Sequence, residues 1–300
     1  MTDVPATTEV ETGPDVETGA AVEALLGTDT SRFRHDYLEV RGLRVTFGGF
    51  VAVRDVDLTV TQGDLRFLIG PNGAGKTTLI DAITGLASAT GSARFGGKEL
   101  LGRGTHRIAR DGVGRTFQTA SVFEQLTVLQ NLDIAAGARR GPGTLLRRRR
   151  GVPEPVEQAL ELVGLSALRD TTAGVLAHGQ KQWLEIGMLL VQDAHLLLLD
   201  EPVAGMTHAE REATGELLRR IGSQRVVVVV EHDMEFLRSF ADSVTVMHQG
   251  QVLAEGTVAD VQNDPAVVEV YLGSPVVSDP TPPTGADATP VSATATKENA

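Results

Sequence analysis

The 300-residue chain has no cysteine, a single tryptophan and no apolar run of membrane-spanning length. Without cysteine there is no disulfide bond, no iron–sulfur cluster held by thiolates and no cysteine nucleophile. The strongest apolar runs, at 196–199 and Val226–Val230, are far shorter than the roughly 18 residues that a transmembrane helix needs. The first 31 residues contain seven acids and neither lysine nor arginine, which is unlike a signal peptide. These absences predict an intracellular protein that does not itself cross a membrane.

The chain also has fewer basic than acidic residues. The formal net charge is −12, of which residues 1–31 carry −7 and residues 275–300 carry −2. The remaining −3 is spread over a nearly neutral body, which gives no electrostatic footprint for nucleic acid, so we expect no nucleic-acid partner. Both ends also lack periodic apolar residues. We therefore predict a disordered acidic tail over 1–34, a folded domain over 35–273 and a second disordered tail over 274–300.

The pattern of apolar residues predicts an α/β fold. Apolar and polar residues alternate over Tyr37–Phe47 and 56–60, as in half-buried strands, so a β-rich subdomain is expected to open the fold. The uninterrupted apolar runs at 196–199 and Val226–Val230 favour central strands of a parallel sheet covered on both faces. Residues 208–221, between these runs, carry a helical apolar stripe. The stripe consists of Ala209, Ala213, Leu217 and Ile221. No internal repeat is present, which indicates a single unit.

A helical block is predicted at about 119–192. Its clearest apolar face consists of Val156, Ala159, Leu160 and Val163. A glycine- and arginine-rich stretch at 137–151 interrupts the block. Its six arginines favour a solvated loop. Contact with anionic lipid headgroups, at about 1 kcal/mol for each charge that reaches the surface, is the alternative.

A glycine-rich loop follows the strand predicted at Leu65–Ile69. Residues 70–77 fit the pattern G-x-x-x-x-G-K-[ST], in which backbone N–H groups cradle phosphates, the lysine reaches the β- and γ-phosphates and the hydroxyl binds Mg²⁺. A helical pattern through Leu79, Ile83 and Leu86 comes next, which gives the order strand, loop, helix that this motif requires. The candidate nucleotide-binding residues are Gly70, Pro71, Asn72, Gly73, Ala74, Gly75, Lys76, Thr77 and Thr78.

An acidic pair follows the apolar run at 196–199. Nucleotide hydrolysis needs an acid at the end of a central strand to hold Mg²⁺ through water, and Asp200 has that place. Glu201 is adjacent, where it is free to accept a proton from an attacking water or to orient that water. A solvated acid at a strand end is the alternative explanation for Glu201.

Three segments together give the chain a family resemblance. The sequence DEP at 200–202 after four leucines, the sequence LAHGQ at 176–180 and His232 after the next predicted strand resemble the ATP-binding subunits of ABC transporters. The resemblance extends over about 37–273. It implies a P-loop NTPase cassette with a central, mostly parallel sheet, an antiparallel β subdomain and an inserted α-helical subdomain. It also implies ATP hydrolysis with ATP and Mg²⁺ as cofactors.

The resemblance implies roles for individual residues. Phe47 resembles the aromatic residue that stacks on adenine, with a core phenylalanine at a strand end as the alternative. Gln118 resembles the glutamine that senses Mg²⁺ and water, and His232 resembles the switch histidine that contacts the γ-phosphate. The signature segment (177–180) would bind ATP held by a partner subunit, and it consists of Ala177, His178, Gly179 and Gln180. The residues expected to carry catalysis are Lys76, Gln118, Glu201 and His232, and those expected to hold the metal are Thr77, Gln118 and Asp200.

Two positions depart from the family pattern. Ala177 stands where the signature normally has serine, so a hydroxyl that would bond the γ-phosphate is missing. Thr207 stands where many relatives have an aspartate that bridges the two subunits. Backbone N–H groups near His178 and Gly179 remain available to phosphate. We therefore expect weakened closure on ATP, and a cassette that binds ATP but hardly hydrolyses it is the alternative.

Within the family, the chain resembles importers of branched-chain amino acids and of urea, through the sequences DEPVAGMT at 200–207 and VYLG at 270–273. The sequence HGQKQWLEIGM at 178–188 is most similar to the urea type. A urea importer is therefore expected, with a branched-chain amino acid importer as the alternative. The implied partners are a second ATP-binding subunit, integral membrane permease subunits and, indirectly, an extracytoplasmic solute-binding protein. The implied location is peripheral, at the cytoplasmic face of the inner or plasma membrane.

Two rival functions remain. A soluble ABC-type ATP-dependent regulator without a permease is the first, although the chain lacks the coiled-coil insertion or second cassette of most such clamps. A small-molecule P-loop kinase is the second, and it leaves the sequence at 176–180 and His232 unexplained.

Overall fold

The computed structural model describes residues 37–117, 120–137 and 151–272. Within these ranges the chain forms two β-sheets and the helices that cover them. The predicted tails and the arginines of the 137–151 stretch lie outside the described residues, so their disorder stays a prediction.

The smaller sheet has four antiparallel strands and comes from the first part of the fold. It consists of β1 (Tyr37–Phe47), β2 (Phe50–Thr61), β4 (Thr90–Phe95) and β5 (Lys98–Glu99). The strand order is β2-β1-β4-β5. Alternate side chains of β1 and β2 are buried, as their period-two pattern predicts.

The larger sheet has six strands and forms the centre of the molecule. It consists of β3 (Leu65–Ile69), β6 (Val113–Arg115), β7 (Leu196–Asp200), β8 (Val226–Val230), β9 (Ser243–His248) and β10 (Gln251–Gly256). The order is β10-β9-β3-β8-β7-β6, and every neighbouring pair is parallel except β9 with β10. Every residue of β3, β7 and β8 is buried, so cover on both faces explains the uninterrupted apolar runs at 196–199 and Val226–Val230.

Nine helices are assigned within the described ranges. They are α1 (Lys76–Ile83), α2 (Thr105–Arg110), α3 (Val128–Gly137), α4 (Glu154–Leu162), α5 (His178–Val191), α6 (His208–Gly222), α7 (Met234–Phe240), α8 (Val258–Asn263) and α9 (Pro265–Leu272). Helices α3, α4 and α5 pack on one another as the inserted helical subdomain. The apolar face predicted for α4 is fully buried in that packing. No helix in the described parts of the chain has the length and apolarity of a membrane span.

Two predicted helix positions lie outside the apolar faces to which the sequence assigns them. Gly85 takes a left-handed conformation (φ +76°) and the N–H of Leu86 donates to the carbonyl of Asp81 at 2.8 Å, which ends α1 in a glycine cap. Leu86 therefore lies beyond the helix and is 55% exposed. In α6, Ala209 belongs to a capped first turn that faces solvent, and the buried stripe begins one turn later at Thr214.

Candidate functional site

A cleft of about 460 Å³ opens at the carboxyl ends of β3 and β7. Parallel strands bring the loops that follow them to one edge of a sheet, which is where ligands bind in open α/β folds. The lining combines the glycine loop, the acidic pair and two aromatic residues. It consists of Phe47, Phe50, Ala52, Asn72, Gly73, Ala74, Gly75, Lys76, Thr77, Thr78, Asp200, Glu201 and Val230. Gly70 and Pro71 are not part of this lining, although both contact Lys76.

The glycine loop joins β3 to α1. Gly70 and Gly75 have φ values of +150° and +100°. A side chain at Gly70 would overlap the carbonyl of Met247, and one at Gly75 would lie 2.7 Å from the carbonyl oxygen of Ala52. Glycine is therefore needed at both positions for the loop to take this path. Helix α1 begins directly after the loop, so its free N–H groups and positive dipole end point at the cleft, an arrangement that binds phosphate.

Lys76 extends back along the loop. Its Nζ donates to the carbonyl oxygens of Gly70 at 2.6 Å and Pro71 at 3.2 Å. Burial lowers the pKa of Lys76, and the negative charges of Glu201 and Asp200 act against that effect. The two acids therefore favour a charged ammonium group at the place where the loop would hold phosphates.

Asp200 and Thr77 both line the cleft and carry side-chain oxygens. Asp200 ends β7 and is only 9% exposed, and its backbone N–H donates to Oγ1 of Thr116 at 3.1 Å. Burial raises the pKa of Asp200, while Arg115, whose Nη2 lies 3.6 Å from Oδ2, lowers it. Arg115 also pairs with Asp81 on α1.

These donors fit Mg²⁺ when phosphates complete the coordination. Within the described ranges, no three acidic, histidine or cysteine side chains gather into a metal cage. Mg²⁺ commonly binds through one or two carboxylates together with substrate phosphates and water. A hydroxyl on Thr77 and a carboxylate on Asp200, facing one cleft with the phosphate loop, satisfy that requirement.

Glu201 and His232 approach one another at the rim of the cleft. Oε1 of Glu201 lies 3.5 Å from Nδ1 of His232. The backbone of Glu201 is left-handed (φ +50°), which is unusual for a residue with a side chain, and its N–H donates to the carbonyl of Val230 at 2.9 Å. The imidazole of His232 is 69% exposed. The structure thus brings together two residues that are 31 positions apart in the sequence.

Two phenylalanines flank the turn between β1 and β2. Phe47 pairs with Phe50 across Gly48 and Gly49, both of which have positive φ. Their side chains are 53% and 69% exposed at the cleft, which is unlike a core phenylalanine. Phe47 is predicted from the sequence, whereas Phe50 is not. The available signal was the sequence FGGF, in which a tight turn places both aromatic residues on one side of a hairpin.

The signature segment (177–180) lies at the start of α5 and does not line the cleft. Ala177 and His178 are exposed, whereas Gly179 is buried against Glu210 and Met206. The side chain of Gln180 accepts a hydrogen bond from the N–H of Ala177 at 3.1 Å. Because alanine has no side-chain acceptor, the reciprocal half of this helix cap is missing. The N-terminus of α5 thus presents unpaired backbone donors at the surface.

Gln118 lies outside the described residues, so its predicted role stays a prediction. A neighbouring residue on the same loop, Ser121, donates its N–H to Oε1 of Glu185 on α5 at 3.2 Å. Burial raises the pKa of Glu185 to about 7, although the N–H groups of Ser121 and Phe117 lower it. Glu185 is not predicted from the sequence, since a glutamate within a helix is expected to face solvent, and only its apolar neighbours indicate burial.

The fold and the cleft define a class: a P-loop nucleotide-binding protein with its phosphate loop after a central parallel strand. A family model described as ABC transporter matches residues 53–204, just over half of the chain. A second model, described as branched-chain amino acid ATP-binding cassette transporter, matches residues 251–277.

Individual relatives agree with these matches. The high-affinity branched-chain amino acid transport ATP-binding protein BraF of Pseudomonas aeruginosa is 38% identical over 79% of this chain and 97% of its own length. LivG of Escherichia coli, of the same description, is 36% identical over 79% of this chain and 97% of its own length. A solved nucleotide-free ATP-binding cassette from an ABC transporter superposes with a TM-score of 0.69 at 32% identity, covering 80% of this chain and 100% of that one.

The chain belongs to the ABC transporter family as one of its ATP-binding subunits, and it is an ATPase. The fold predicted from the sequence is confirmed. The predicted urea solute has no support among these relatives, all of which are described by branched-chain amino acids where a solute is named.

Proposed function

We propose that the chain hydrolyses ATP to energise import of branched-chain amino acids. The observation that carries the proposal is the match of residues 251–277 to the branched-chain amino acid cassettes, in addition to the general ABC match at 53–204. The C-terminal match involves β10, α8 and α9, which are remote in sequence from the nucleotide motifs. It therefore supports the solute class independently of ATP binding.

The phosphates of ATP bind between the glycine loop and Lys76. The N-terminus of α1 donates backbone N–H groups, and the ammonium of Lys76 offsets phosphate charge. Thr77, Asp200 and Gln118 would hold Mg²⁺, which would supply further charge neutralisation when bound. Phe47 and Phe50 give the base an aromatic surface at the mouth of the cleft.

Glu201 acts on the attacking water. Its carboxylate lies beside the phosphate loop and 3.5 Å from the imidazole of His232, so it accepts a proton from water while His232 contacts the γ-phosphate. The turn that holds Glu201 directs its side chain away from the sheet core, where it is about a quarter exposed.

A second cassette completes the site. The N-terminus of α5 binds the γ-phosphate of ATP held by the partner copy, which agrees with the absence of Ala177, His178 and Gly179 from the lining of their own cleft. Two chains and two ATP molecules thus form one closed unit.

A groove of about 400 Å³ supplies a place for the permease. It lies between the central sheet and the helical subdomain, with the exposed side chains of Leu86 and Phe117 along one wall and the largely buried Met188 along the other. An apolar groove of this size accepts a short segment of a partner. The subunit works there as a peripheral protein on the cytoplasmic face of the membrane, and the solute-binding protein acts from the other side.

Replacing Glu201 with glutamine tests the enzymatic part of the proposal. Glu201→Gln keeps the size of the side chain and removes the base, so ATP hydrolysis should fall by roughly 10² to 10⁴ while ATP binding persists. The matched control is Glu212→Gln, at an exposed position on α6, which should hydrolyse ATP normally. Full turnover by the Glu201→Gln protein would remove Glu201 from this role.

Uptake by cells tests the solute. Cells that carry the complete transporter with either the wild-type or the Glu201→Gln chain are given radiolabelled leucine or radiolabelled urea. We expect leucine uptake to be lost in the variant and urea uptake to be unchanged. The resemblance of the 178–188 sequence to urea importers favours the opposite result, and loss of urea uptake alone would replace the proposed solute with urea.

A further inference from the structure

Glu231 is a buried acid whose carboxyl group binds two loops at once. It follows β8 directly and is only 2% exposed. Its Oε1 accepts the backbone N–H of Val203 at 3.3 Å. Its Oε2 accepts the backbone N–H groups of His232 at 3.0 Å and Asp233 at 3.3 Å. Three backbone donors satisfy a carboxyl group that would otherwise be unfavourable in the interior.

The first of these loops is the turn that holds Glu201. Left-handed backbone is unfavourable for glutamate and persists only where the surroundings fix it. Two contacts fix this turn from the β8 side: the carbonyl of Val230 accepts the N–H of Glu201, and the carboxyl of Glu231 accepts the N–H of Val203. The turn also has an internal bond from the N–H of Ala204 to the carbonyl of Glu201 at 3.2 Å, and the Glu231 carboxyl adds the bond that connects Val203 to the end of β8.

The second loop carries His232 and leads into α7. Asp233 caps that helix by accepting the N–H groups of Glu235 and Phe236, and it pairs with Arg211 on α6 at 2.5 Å. The helix is therefore anchored independently of Glu231. The N–H of His232 donates to Glu231, and Glu231 in turn binds the turn of Glu201. This pair of bonds connects the anchored helix α7 to that turn.

We propose that Glu231 is a positioning residue that sets the separation of Glu201 and His232 for hydrolysis. The inference rests on the proposed roles of those two residues. Glu231 is buried and does not line the cleft, and it acts by holding the Glu201 turn and the His232 loop on one rigid group. Burial also raises the pKa of its carboxyl group, which the three N–H contacts oppose.

Two substitutions separate the contacts. In Glu231→Gln, the amide NH₂ faces a backbone donor on one side or the other, so one of the two loops is released. In Glu231→Asp, the shorter side chain keeps its charge and the local bonds to His232 and Asp233 but no longer reaches Val203. Glu231→Asp should therefore loosen the Glu201 turn, and Glu231→Gln should loosen either that turn or the His232 loop. Either change alters the separation of Glu201 and His232.

The experiment measures kcat, KM for ATP and melting temperature in the full-length protein. We expect kcat to fall by roughly 10- to 100-fold in Glu231→Gln, as misplacement of reacting groups by about an ångström does, with KM for ATP within about threefold of wild type. The control is Glu255→Gln, which removes a carboxylate from Arg66 near the start of β3, at the opposite end of the strand from the phosphate loop. It should lower the melting temperature without this fall in kcat.

A double-mutant cycle with His232→Ala separates positioning from general damage. If Glu231 acts through His232 and Glu201, adding Glu231→Gln to His232→Ala should lower kcat much less than it does in the wild-type protein. Equal fold-losses in the two backgrounds would overturn the inference, as would an unchanged kcat or a rise in KM that accounts for the loss. Should Glu231→Gln fail to fold, Glu231→Asp carries the same cycle.

The outcome for Glu201→Gln keeps this inference distinct from the proposed function. Full turnover by Glu201→Gln would overturn both. Loss of turnover in Glu201→Gln, together with Glu231→Gln behaving as Glu255→Gln does, would overturn only the positioning role.

Discussion

The ATP cleft and the signature segment (177–180) are both expected to bind phosphate, yet they differ in how the rest of the chain surrounds them. The cleft is supported from below by the buried ends of β3 and β7, and Lys76 and Asp200 already contact neighbours within the chain. The signature segment begins a helix at the surface and lines no cleft. The cleft therefore gathers its proposed phosphate-binding groups within one chain, whereas the signature segment would meet phosphate only in the proposed pair of chains.

Removing the lysine of the cleft should have the largest effect on the difference between the two regions, because it removes a phosphate-binding group from the cleft alone. Lys76→Ala deletes a partly buried charge that serves bound phosphate, so ATP affinity of the single chain should fall by roughly 10³-fold. Lys98→Ala is the control, because it removes an exposed lysine that pairs with Asp111. Affinity is measured by displacement of a fluorescent ATP analogue. Retained affinity in Lys76→Ala would show that the loop and α1 alone hold the phosphates.

Placing a serine in the signature segment should strengthen dimer closure and leave the cleft unchanged. In Ala177→Ser, the hydroxyl adds one charge-assisted bond to phosphate at each of two sites, at roughly 1.5 to 3 kcal/mol apiece, so ATP-driven dimer closure should strengthen by a factor on the order of 10² or more. The measurement is the ATP concentration for half-maximal dimerisation in a Glu201→Gln background. Affinity of the single chain for ATP should not change, and an unchanged midpoint would contradict the assignment.

Ala177→Ser should also change the stability of the single chain, and this change does not depend on ATP or on a partner. Serine at 177 completes the helix cap that Gln180 already half forms, which should stabilise the fold by about 1 kcal/mol with or without ATP. An acidic substitution at Gly179 is a poorer probe, because its Cβ would lie 2.8 Å from Oε1 of Glu210 and repulsion there would disturb α5 directly.

Glu185 lies between the two regions and should make stability depend on pH. Its folded pKa of about 7 is raised above the ordinary value of 4.5, so its contribution is fully present below about pH 4.5 and is lost as the pH rises through 7. The shift corresponds to at most about 3 kcal/mol. The melting temperature should therefore drop between pH 5 and pH 8, and by less in Glu185→Gln. Buried Asp200 and Glu231 add a slope of the same sign that remains in the variant; equal slopes in both proteins would contradict the raised pKa.

The fold was largely accessible from the sequence, because continuous apolar runs and a glycine loop admit few arrangements. The runs at β7 and β8 predict buried parallel strands, and all their residues are buried. The errors occur where a local feature overrides periodicity. Leu86 has helical spacing, but the cap at Gly85 ends α1 before it.

Residues of the site could be predicted from the sequence only where a motif fixes their order. The phosphate loop and the acidic pair are contiguous in sequence, whereas Arg115, Glu185 and Glu231 act through contacts with distant segments. Charged residues within strand and helix patterns are expected to be solvated, and their partners become visible only after the chain has folded. Phe50 differs, since the hairpin turn beside Phe47 could have indicated it.

The left-handed backbone of Glu201 means that some inactive variants at this position should be more stable than the normal chain. Glycine or asparagine at position 201 would relieve about 1 kcal/mol or more of strain while abolishing the proposed base. Quality control removes unstable proteins, so it would spare such inactive copies. They would still carry the intact groove and signature segment, and would occupy transporters alongside active subunits. Mutations at this one position should therefore behave as dominant inhibitors of transport in cells that also express the normal chain.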